Sequence, residues 1–388
     1  MDMPPPPNRP VYLDNQATTR CDPRVLAAML PFFSEEYGNP HSAEHVMGQH
    51  AEAAVETARA QVASLIGAEA REIIFTSGAT ESNNIAIKGA ARFAASQGNE
   101  RRRIITVATE HKCVLEAFAD LAAEGFEPLV LPVAADGLLD LEVLRAALTE
   151  PTLLVSVMAV NNEIGVIQDI SAIAALAKAA GALFHTDAAQ AAGKIALDVA
   201  AQRIDLLSIS GHKLYGPKGI GALYVRRRPR VRLTPLFSGG GQERGLRSGT
   251  LPTPLIVGLG EACRIAGAEY LLDIGRITEH RGLLLDRLRT AIPGLRVNGT
   301  EAARIPGNLN LTFPAATAQY LMKTCPDLCV STGSACSSAE VEPSYVLRAL
   351  GLPDDEAART LRIGVGRFTS PADIDYAAAA LIAAHSAA

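Results

Sequence analysis

Residues 183–213, LFHTDAAQAAGKIALDVAAQRIDLLSISGHK, contain two apolar runs that each end at a cluster of polar side chains. The first run ends at Asp187, and the second continues into Ser210, His212 and Lys213. Both runs are short and are followed by small or turn-forming residues, which is typical of strands buried inside a sheet. In open α/β sheets, ligands bind outside the carboxyl ends of the strands. These polar residues are therefore candidates for a functional site.

The same alternation of strands and helices extends over residues 71–228. Apolar runs such as 72–78 (EIIFTSG) and 152–160 (TLLVSVMAV) alternate with helical patterns such as 80–95 (TESNNIAIKGAARFAA). This order predicts an α/β fold with a mostly parallel central sheet flanked by helices. A Gly/Pro turn precedes the last run, 221–227, which favours an antiparallel neighbour there.

The segments on either side of this block have a different pattern. Residues 23–38 and 47–67 are predicted to be helices, the second ending at Gly67 as a C-cap. After Gly260 the sequence changes to long Ala/Leu/Arg helices and a few short strands. We therefore expect a smaller α+β domain beside the large one. The predicted division is 14–260 for the large cofactor-binding domain, and 1–13 with 261–388 for the small domain, which carries a cysteine loop at about 329–342.

Charge and hydropathy exclude several classes of protein. With 36 Lys and Arg against 41 Asp and Glu, the formal net charge is −5 and the pI is near 6.0, which argues against nucleic acid as a direct partner. The basic runs 101–103 and 226–232 are interpreted as surface turns. The opening MDMPPPPNRP has no apolar h-region, and the apolar runs are far shorter than a bilayer span of roughly 20 residues. We expect a soluble cytoplasmic protein without a membrane partner.

Polar residues follow the other predicted strands of this block as well. The clusters are Ser77-Gly78-Ala79-Thr80, Glu110-His111-Lys112, Asn161-Asn162-Glu163, Asp187-Ala188-Ala189-Gln190 and Ser210-Gly211-His212-Lys213. Because parallel strands end at the same edge of a sheet, we expect these clusters to meet at one rim.

The cluster at 77–80 ends a strand and opens a helix, so it offers free N–H groups and the positive end of a helix dipole to a phosphate. Taken alone, it is more simply explained as an N-cap. No G-x-G-x-x-G follows a predicted strand, and Gly216 is followed by Pro217 rather than by Lys. The sequence therefore predicts neither a dinucleotide fingerprint nor a P-loop.

Asp187 and Lys213 add a carboxylate and an amine to the same rim. A buried carboxylate needs a partner such as a cationic cofactor nitrogen, although a strand-end Asp is more often a helix cap. A lysine in a desolvated crevice has a lowered pKa and can form an imine with an aldehyde. The alternative for Lys213 is a surface lysine, as Lys218 is predicted to be. With His111 to stack on a ring and Gln190 to donate to a ligand oxygen, the set predicts pyridoxal phosphate.

Extended motifs in a fixed order carry a resemblance to a known family. They are YLDNQATT, YGNPHS, FTSGATESNN, TEHKCVLE, VNNEIGVIQD, HTDAAQAAGK, SISGHKLYGPKGIG, GGGQERGLRSGT, STGSACSSAEVEPSYVLRALG and RIGVGRFT. They closely resemble the cysteine desulfurases of the iron-sulfur assembly type, in the class V aminotransferase branch of fold type I pyridoxal phosphate enzymes. The resemblance covers nearly the whole chain. It implies a homodimeric sulfurtransferase that uses pyridoxal 5'-phosphate to convert L-cysteine into L-alanine.

The resemblance also implies roles around the cofactor ring. Lys213 matches the imine-forming lysine, and Asp187 matches the partner of the pyridinium nitrogen. His111 matches the ring that stacks on the cofactor and carries protons. Gln190 matches the residue that hydrogen-bonds the phenolic oxygen.

Further matches fall on the phosphate and on the substrate. The positions matching phosphate-binding residues are Ala79, Thr80, Ser210 and His212, together with Thr250, which the other subunit supplies. Asn162, which also matches a cofactor-binding position, and Arg362 match the residues that hold the substrate carboxylate. A fork-shaped guanidinium suits that bidentate task.

Cys336 lies in residues 331–338, STGSACSS, where small residues surround it and the apolar periodicity stops. This pattern predicts an exposed, mobile loop. The resemblance implies that Cys336 takes the sulfur as a persulfide and passes it to a sulfur-acceptor or iron-sulfur scaffold protein. An exposed thiol titrates near 8.5, so a base must produce the thiolate, and His111 is the candidate.

Two classes of alternative function stay open. Another enzyme of the same fold is the first: an aminotransferase, a selenocysteine lyase or a cysteine sulfinate desulfinase. The STGSAC loop argues against an ordinary aminotransferase, which needs no thiol. The second is a non-catalytic scaffold that only binds sulfur-carrier partners. The joint presence of Lys213, Asp187, His111 and Cys336 argues against it.

The remaining cysteines and histidines give only weak metal signals. Six cysteines are scattered through the chain without a C-x-x-C pair, so a disulfide framework is not expected. The C-x3-C spacing of Cys325 and Cys329 is better explained by structural thiols than by a metal site. His41, His45 and His50 lie at near-helical spacing, for which capping and packing are favoured over a metal. We expect no metal site.

Overall fold

The computed structural model describes residues 9–149, 151–332 and 343–388. The strands are β1 (Val11–Tyr12), β2 (Ile73–Thr76), β3 (Arg103–Val107), β4 (Glu127–Leu131), β5 (Thr152–Ser156), β6 (Leu183–Asp187), β7 (Leu206–Ser210), β8 (Gly221–Val225), β9 (Arg296–Val297), β10 (Asn308–Thr312), β11 (Leu328–Cys329) and β12 (Thr360–Gly364). The helices are α1 (Pro23–Met29), α2 (Pro31–Ser34), α3 (Val46–Leu65), α4 (Ala79–Ser96), α5 (Lys112–Ala123), α6 (Leu141–Ala147), α7 (Ile170–Ala179), α8 (Thr253–Ala291), α9 (Ala318–Thr324), α10 (Tyr345–Ala349), α11 (Asp354–Ala357) and α12 (Pro371–Ser386). None of the helices in this described part of the chain has the length and apolar composition needed to cross a bilayer.

The central sheet has seven strands among the described residues, in the order β2-β8-β7-β6-β5-β3-β4. Strand β8 is antiparallel to both of its neighbours, and the other strands run in one direction. All residues of β2, β5, β7 and β8 are buried, because helices cover both faces of the sheet. The predicted α/β fold with a mostly parallel sheet is confirmed, as is the antiparallel neighbour after the Gly/Pro turn.

The main core lies between this sheet and the helices α3 and α8. Phe75, Phe184 and Leu207 come from the strands, and Val62 and Ile256 come from the two helices. Each such side chain, when fully buried, contributes about 1.5–3 kcal/mol to folding. This core holds the strand ends in fixed positions relative to one another.

A second core lies around a small antiparallel sheet, in which β10 pairs with both β9 and β12. Leu309, Leu361 and Ile363 from this sheet pack with residues of α12 and of the second half of α8. The N-terminal segment joins this core, because β1 pairs with β11 and Val11 is buried there. The division into domains stays a prediction, and its boundary at residue 260 falls inside α8.

Two helices before the sheet differ in how well the sequence predicted them. The predicted helix at 23–38 is wrong as a single element, because α1 ends at Met29 and a separate short α2 begins at Pro31. Proline has no N–H to donate to the preceding turn, which interrupts the helix. Helix α3 ends at Leu65, and Gly67 follows with a φ of 67°. That left-handed conformation is the one that favours glycine after a helix end, as predicted.

Candidate active site

The carboxyl ends of β6 and β7 lie side by side at one edge of the central sheet. The two strands are parallel neighbours, with Asp187 in register with Ser208. A 3₁₀ turn, Gly211–Lys213, follows β7 directly. Asp187 and Lys213 are close enough for the carboxylate charge to influence the pKa of the amine. Strand adjacency therefore brings an acid and an amine together at the rim.

Lys213 is the nucleophilic amine of this rim. Its Nζ donates hydrogen bonds to the carbonyl oxygens of Gln16 and Ala17, both at 2.6 Å. Burial, followed by the positive charge of Arg362, lowers the pKa of Lys213 to about 8. The amine therefore loses its proton far more readily than an ordinary lysine, as imine formation requires.

Asp187 is a buried carboxylate, with 5% of its surface exposed. Its Oδ1 accepts from the backbone N–H of Ala189 at 2.8 Å, and its Oδ2 accepts from Nδ2 of Asn83 at 2.6 Å. Within the described residues no lysine, arginine or histidine forms a salt bridge with it. An anion held in this way by neutral donors is suited to pair with a cationic group of a ligand.

His111 caps the N-terminus of α5 at the same rim. Its Nδ1 accepts from the backbone N–H of Cys113 at 3.2 Å, so the proton of the neutral ring is on Nε2. Burial lowers the pKa of His111, and the charge of Asp187 partly opposes this effect. A neutral imidazole near pH 7 can accept a proton from another group.

Asn83 and Cys113 belong to this site, although sequence reasoning assigned them no role. Asn83 Nδ2 lies 3.2 Å from the Cys113 sulfur, which in turn lies 3.0 Å from His111 Nδ1. Burial raises the pKa of Cys113 to about 12, so its thiol stays protonated. The chain of contacts links His111 to Asp187 through neutral groups. One signal for Asn83 was available, because asparagine is unfavourable inside a helix such as α4.

The start of α4 forms an open cup beside the rim. The N-cap residue Gly78 provides no side-chain cap, so the first turn, which begins with Ala79 and Thr80, keeps unsatisfied N–H groups. Gly78 has a φ of 153°, and a Cβ there would meet nothing within 4 Å, so the space in front of the turn is open. The neighbouring strand β8 approaches closely, because a Cβ on Gly221 would lie 2.6 Å from the Gly78 Cα.

Ser210 and His212 lie next to this cup. Ser210 ends β7 and pairs with Gly221, which pairs in turn with Thr76 at the end of β2. His212 Nδ1 lies 3.0 Å from the Thr18 hydroxyl, and burial followed by the charge of Lys213 lowers the pKa of His212 to about 4. The strand pairing thus brings the backbone of Ser210 close to the helix N-terminus, whereas the neutral imidazole of His212, in the turn that follows β7, contacts Thr18.

Thr250 is exposed, and among the described residues no hydrogen bond connects it to the cup at the start of α4 in its own chain. The segment that carries it is nevertheless held in place. Arg247 donates from Nε to Glu81 of α4 at 2.9 Å, and the buried Glu243 pairs with Arg59 of α3 at 2.8 Å. An exposed residue on an anchored segment is available to a neighbouring molecule.

Gln190 is buried behind Lys213, with 3% of its surface exposed. Its Nε2 donates to the carbonyl oxygen of Gln16 at 2.8 Å, the same oxygen that Lys213 contacts. Its Oε1 accepts from the Lys194 amine at 2.9 Å. The side-chain amide is thus fixed at both ends.

Arg362 and Asn162 lie together on the other side of the rim. Arg362 Nη1 donates to the Asn162 carbonyl oxygen at 3.1 Å, and its Nη2 pairs with Asp14 Oδ1 at 2.8 Å. The side-chain oxygen of Asn162 is buried and has no hydrogen-bond partner among the described residues. A carboxylate can bind here only through donors, which are the guanidinium and the NH₂ group of the Asn162 side chain, because the side-chain oxygen of Asn162 can only accept.

Cys336 lies outside the described residues, and the chain on both sides of it reaches this rim. Before it, Ser331 exchanges two backbone hydrogen bonds with Arg362, at 2.7 and 3.2 Å. After it, the Ser344 hydroxyl donates to the buried Glu163 carboxylate. Tyr345 also donates, to the Glu110 carbonyl oxygen at 2.6 Å.

The other cysteines and histidines have structural contacts. Cys325 is buried, with its thiol 3.5 Å from the Ala380 carbonyl oxygen, and Cys329 pairs with Tyr12 at the end of β11. His45 caps α3, as predicted, by accepting from the Gly48 N–H at 3.1 Å. Among the described residues, no group of three His, Cys, Asp or Glu side chains is arranged to hold a metal ion.

The residues at the rim fit pyridoxal phosphate in three independent ways. A partly buried amine with a lowered pKa suits an aldehyde, and the Asp187 carboxylate, which forms no salt bridge among the described residues, suits a pyridinium nitrogen. The open cup at the start of α4 suits a phosphate. Lys213 and Asp187 follow the neighbouring strands β7 and β6, and Ala79 and Thr80 follow β2, which β8 separates from β7 in the same sheet.

Comparisons with known proteins agree with this geometry. The aminotransferase class-V family model matches residues 11–377. Cysteine desulfurase IscS of Rickettsia bellii is 55% identical over 368 residues, which cover 95% of this chain and 89% of the relative. The human cysteine desulfurase is 55% identical, covering 95% of this chain and 80% of the relative. A solved NifS-like protein matches with a TM-score of 0.88 and 37% identity, over 97% of this chain and 99% of that chain.

Fold and site together define an α/β enzyme built to use pyridoxal phosphate. The chain belongs to the aminotransferase class-V family, and within that family it is a cysteine desulfurase, a sulfurtransferase that depends on pyridoxal phosphate. The resemblance identified from the sequence motifs is confirmed. The substrate is cysteine, and the reaction requires a sulfur acceptor.

Proposed function

We propose that the residues of this rim transfer the sulfur of L-cysteine to Cys336. The observation that carries the proposal is that the segment containing Cys336 begins and ends at the candidate site. Ser331 is hydrogen-bonded to Arg362, and Ser344 is hydrogen-bonded to Glu163, the residue after Asn162. Cys336 is five positions after Ser331, so chain length alone keeps it within about 17 Å of that anchor.

Arg362 and Asn162 hold the carboxylate of the substrate. Arg362 already presents a charged fork beside the Asn162 backbone, and Asp14 fixes one of its nitrogens. A carboxylate bound there places the cysteine amine and Cα toward Lys213, whose pKa the charge of Arg362 helps to lower. Substrate binding and the reactivity of the lysine therefore depend on the same guanidinium.

The other residues manage protons and the cofactor. When bound, pyridoxal phosphate supplies an electron-withdrawing ring that weakens the bonds at the substrate Cα. Asp187 keeps the ring nitrogen protonated, and the phosphate is held by Ala79, Thr80, Ser210 and His212. Lys213 takes the Cα proton. His111, which is neutral, accepts the thiol proton of Cys336.

The sulfur transfer balances without an external oxidant or reductant. The Cys336 thiolate attacks the substrate sulfur, a sulfur–sulfur bond forms, and the bond between that sulfur and the substrate Cβ breaks. The electron pair of the broken bond stays on the former substrate, which takes up protons and leaves as L-alanine. Cys336 is left as a persulfide that an acceptor protein can receive.

The replacement of Cys336 by serine tests this assignment directly. Cys336→Ser should keep the visible absorption of bound pyridoxal phosphate but release sulfide at least about 100-fold more slowly, because its hydroxyl cannot accept the sulfur. Cys329→Ser, a nearby part-exposed thiol on β11, is the matched control and should behave as wild type. Sulfide and alanine are measured together. Unimpaired sulfide release from Cys336→Ser would exclude Cys336 as the acceptor.

We further propose a homodimer in which Thr250 completes the phosphate site of the partner subunit. Its exposure and the anchored segment around it support this arrangement. A mixed dimer of one Lys213→Ala chain and one Thr250→Val chain tests it. If Thr250 acts in the partner's site, the mixed dimer regains one site with native pyridoxal phosphate affinity, although each parent dimer is defective. Lack of recovery in the mixed dimer contradicts the exchange.

The recipient of the sulfur is proposed to be an iron-sulfur scaffold or another sulfur-acceptor protein, and the location is proposed to be cytoplasmic. The IscS name of the Rickettsia relatives supports an assembly role of this kind. Mixing the Cys336 persulfide form with a candidate scaffold and following the labelled sulfur by mass spectrometry tests the first proposal. Sulfur that stays on Cys336 with every acceptor would count against it.

A further inference from the structure

Lys194 is a lysine next to the candidate active site that contacts Gln190 and has no acidic partner among the described residues. It is partly buried, and its amine donates to Gln190 Oε1 at 2.9 Å. No carboxylate of the described residues forms a salt bridge with it. Burial, followed by the positive charges of Lys213 and Arg362, lowers the pKa of Lys194 to about 7. Placing a charged amine near other cations without an acidic partner costs free energy of folding. We therefore expect Lys194 to have a function in the site.

The backbone fixes Lys194 in this place. The preceding residue, Gly193, has a φ of 71°, a left-handed conformation that glycine adopts readily. A Cβ at that position would lie 2.4 Å from Leu214 Cδ1 and 3.0 Å from the Ala266 Cβ. The turn is therefore packed directly against the residue that follows Lys213.

The contacts of Gln190 show what Lys194 does there. A carbonyl oxygen can only accept and a protonated lysine amine can only donate, so the Gln16 carbonyl oxygen selects the Nε2 end of the Gln190 amide and the Lys194 ammonium selects the Oε1 end. Lys194 binds the Oε1 end, and the Gln16 carbonyl oxygen binds the Nε2 end at 2.8 Å. The second proton of Nε2 is left to donate toward the ligand. Without the lysine, Oε1 would be a buried acceptor with no partner, and the amide would turn away to satisfy it.

We propose that Lys194 is a positioning residue that orients the Gln190 amide so that its NH₂ group faces Lys213 and the oxygen of the bound cofactor. This inference rests on the proposed function, because it requires pyridoxal phosphate to be bound at this rim with its phenolic oxygen next to Gln190, the position that the family resemblance implies. A donor at that oxygen stabilises the anionic form of the ring, so it lowers the pH at which the bound cofactor loses its proton. The charged groups that act on Lys213 are Arg362, Asp14 and Asp187, and the charge of Lys213 acts in turn on Lys194, His111 and His212.

The experiment measures the pH midpoint of the visible absorption change of bound pyridoxal phosphate in the full-length holoenzyme. Lys194→Met should raise the midpoint by about half a unit or more, the size expected for the loss of one hydrogen bond. Lys194→Gln retains a donor without the charge, and its midpoint should stay close to that of wild type. In the Gln190→Leu background, Lys194→Met should cause no further shift.

Three results would overturn the proposal. They are an unchanged midpoint in Lys194→Met, a Lys194→Gln variant that shifts as much as Lys194→Met, and a shift of full size in the Gln190→Leu background. The last two would indicate that Lys194 acts through its charge rather than through Gln190. A wild-type protein that shows no visible band with pyridoxal phosphate would instead remove the proposed function, and this inference with it. Circular dichroism of each variant confirms that the fold is retained.

Discussion

The cofactor half and the substrate half of the candidate site are built in different ways. In the cofactor half, Asp187 and Lys213 follow neighbouring parallel strands of one sheet. In the substrate half, Arg362 contacts Asp14 and Asn162, which are 348 and 200 positions away in the chain. The first half is placed by strand order, and the second by the packing of the small sheet and the N-terminal segment against the large sheet.

This difference indicates how each half should respond to substitution. Residues of the cofactor half lie on a rigid, buried scaffold, so their replacement should remove chemistry and leave the fold intact. Residues of the substrate half form a network that spans three distant segments. Their replacement should change substrate affinity more than the rate of the chemical step.

The largest effect is expected for Lys213→Ala in the cofactor half. The loss of its amine removes both the attachment point of the cofactor and the base at Cα, so desulfuration should fall by about 10²–10⁴-fold. Alanine formation from L-cysteine is the measurement, with the visible spectrum of the cofactor recorded in parallel. Lys218→Ala, an exposed lysine five positions further on, is the control and should keep wild-type activity. Comparable losses in both variants would mean that the sheet edge, rather than the amine, had been damaged.

A smaller effect is expected for Arg362→Lys in the substrate half. Lysine keeps the charge but loses the planar fork, so the KM for L-cysteine should rise by about tenfold or more while kcat changes less. Steady-state kinetics separate the two constants. Arg359→Lys, three positions before Arg362 and paired with Asp355, serves as the control. A fall in kcat at constant KM would place Arg362 in the chemical step. It would contradict the expectation that substitutions in the substrate half change substrate affinity more than the chemical rate.

The smallest effect concerns pH and links the two halves. Reloading of the cofactor-free enzyme with pyridoxal phosphate requires the uncharged amine of Lys213, whose pKa is lowered to about 8. The reloading rate should therefore rise with pH and level off above about 8, rather than near the ordinary lysine value of about 10.4. Arg362→Gln removes a positive charge that disfavours the protonated amine, so the midpoint should move upward. Stopped-flow absorbance measures the rate. An identical pH midpoint in Arg362→Gln and wild type would show that the charge of Arg362 does not influence Lys213.

Much of the fold could be predicted because strands and helices leave local patterns. The strand before Asp187 and the turn around Lys213 were visible as apolar runs that stop at polar residues. The single helix predicted at 23–38 is wrong, because its apolar pattern continues past Pro31 although proline interrupts the helix there. A local pattern therefore predicts that a segment is helical more reliably than it predicts where the helix is interrupted.

Several residues of the site could not be identified from the sequence. Asn83 and Cys113 received no role, although they connect Asp187 to His111. Lys194 was also overlooked, because only the fold shows that its amine reaches Gln190. Each of these residues acts through a contact with a partner, and single-residue reasoning about type and position does not identify the partner.

The sequence by itself determined the alternation of strands and helices, the polar residues at the strand ends and the motifs of the family. These features depend on periodicity and on short-range chemistry, which the order of residues records directly. The tertiary structure alone decided which distant partners meet: Asp14 with Arg362, and Asn83 with Asp187. The physical reason is that hydrogen bonds and ion pairs act over a few ångströms in space, whereas the two residues of each pair are more than a hundred positions apart in the chain.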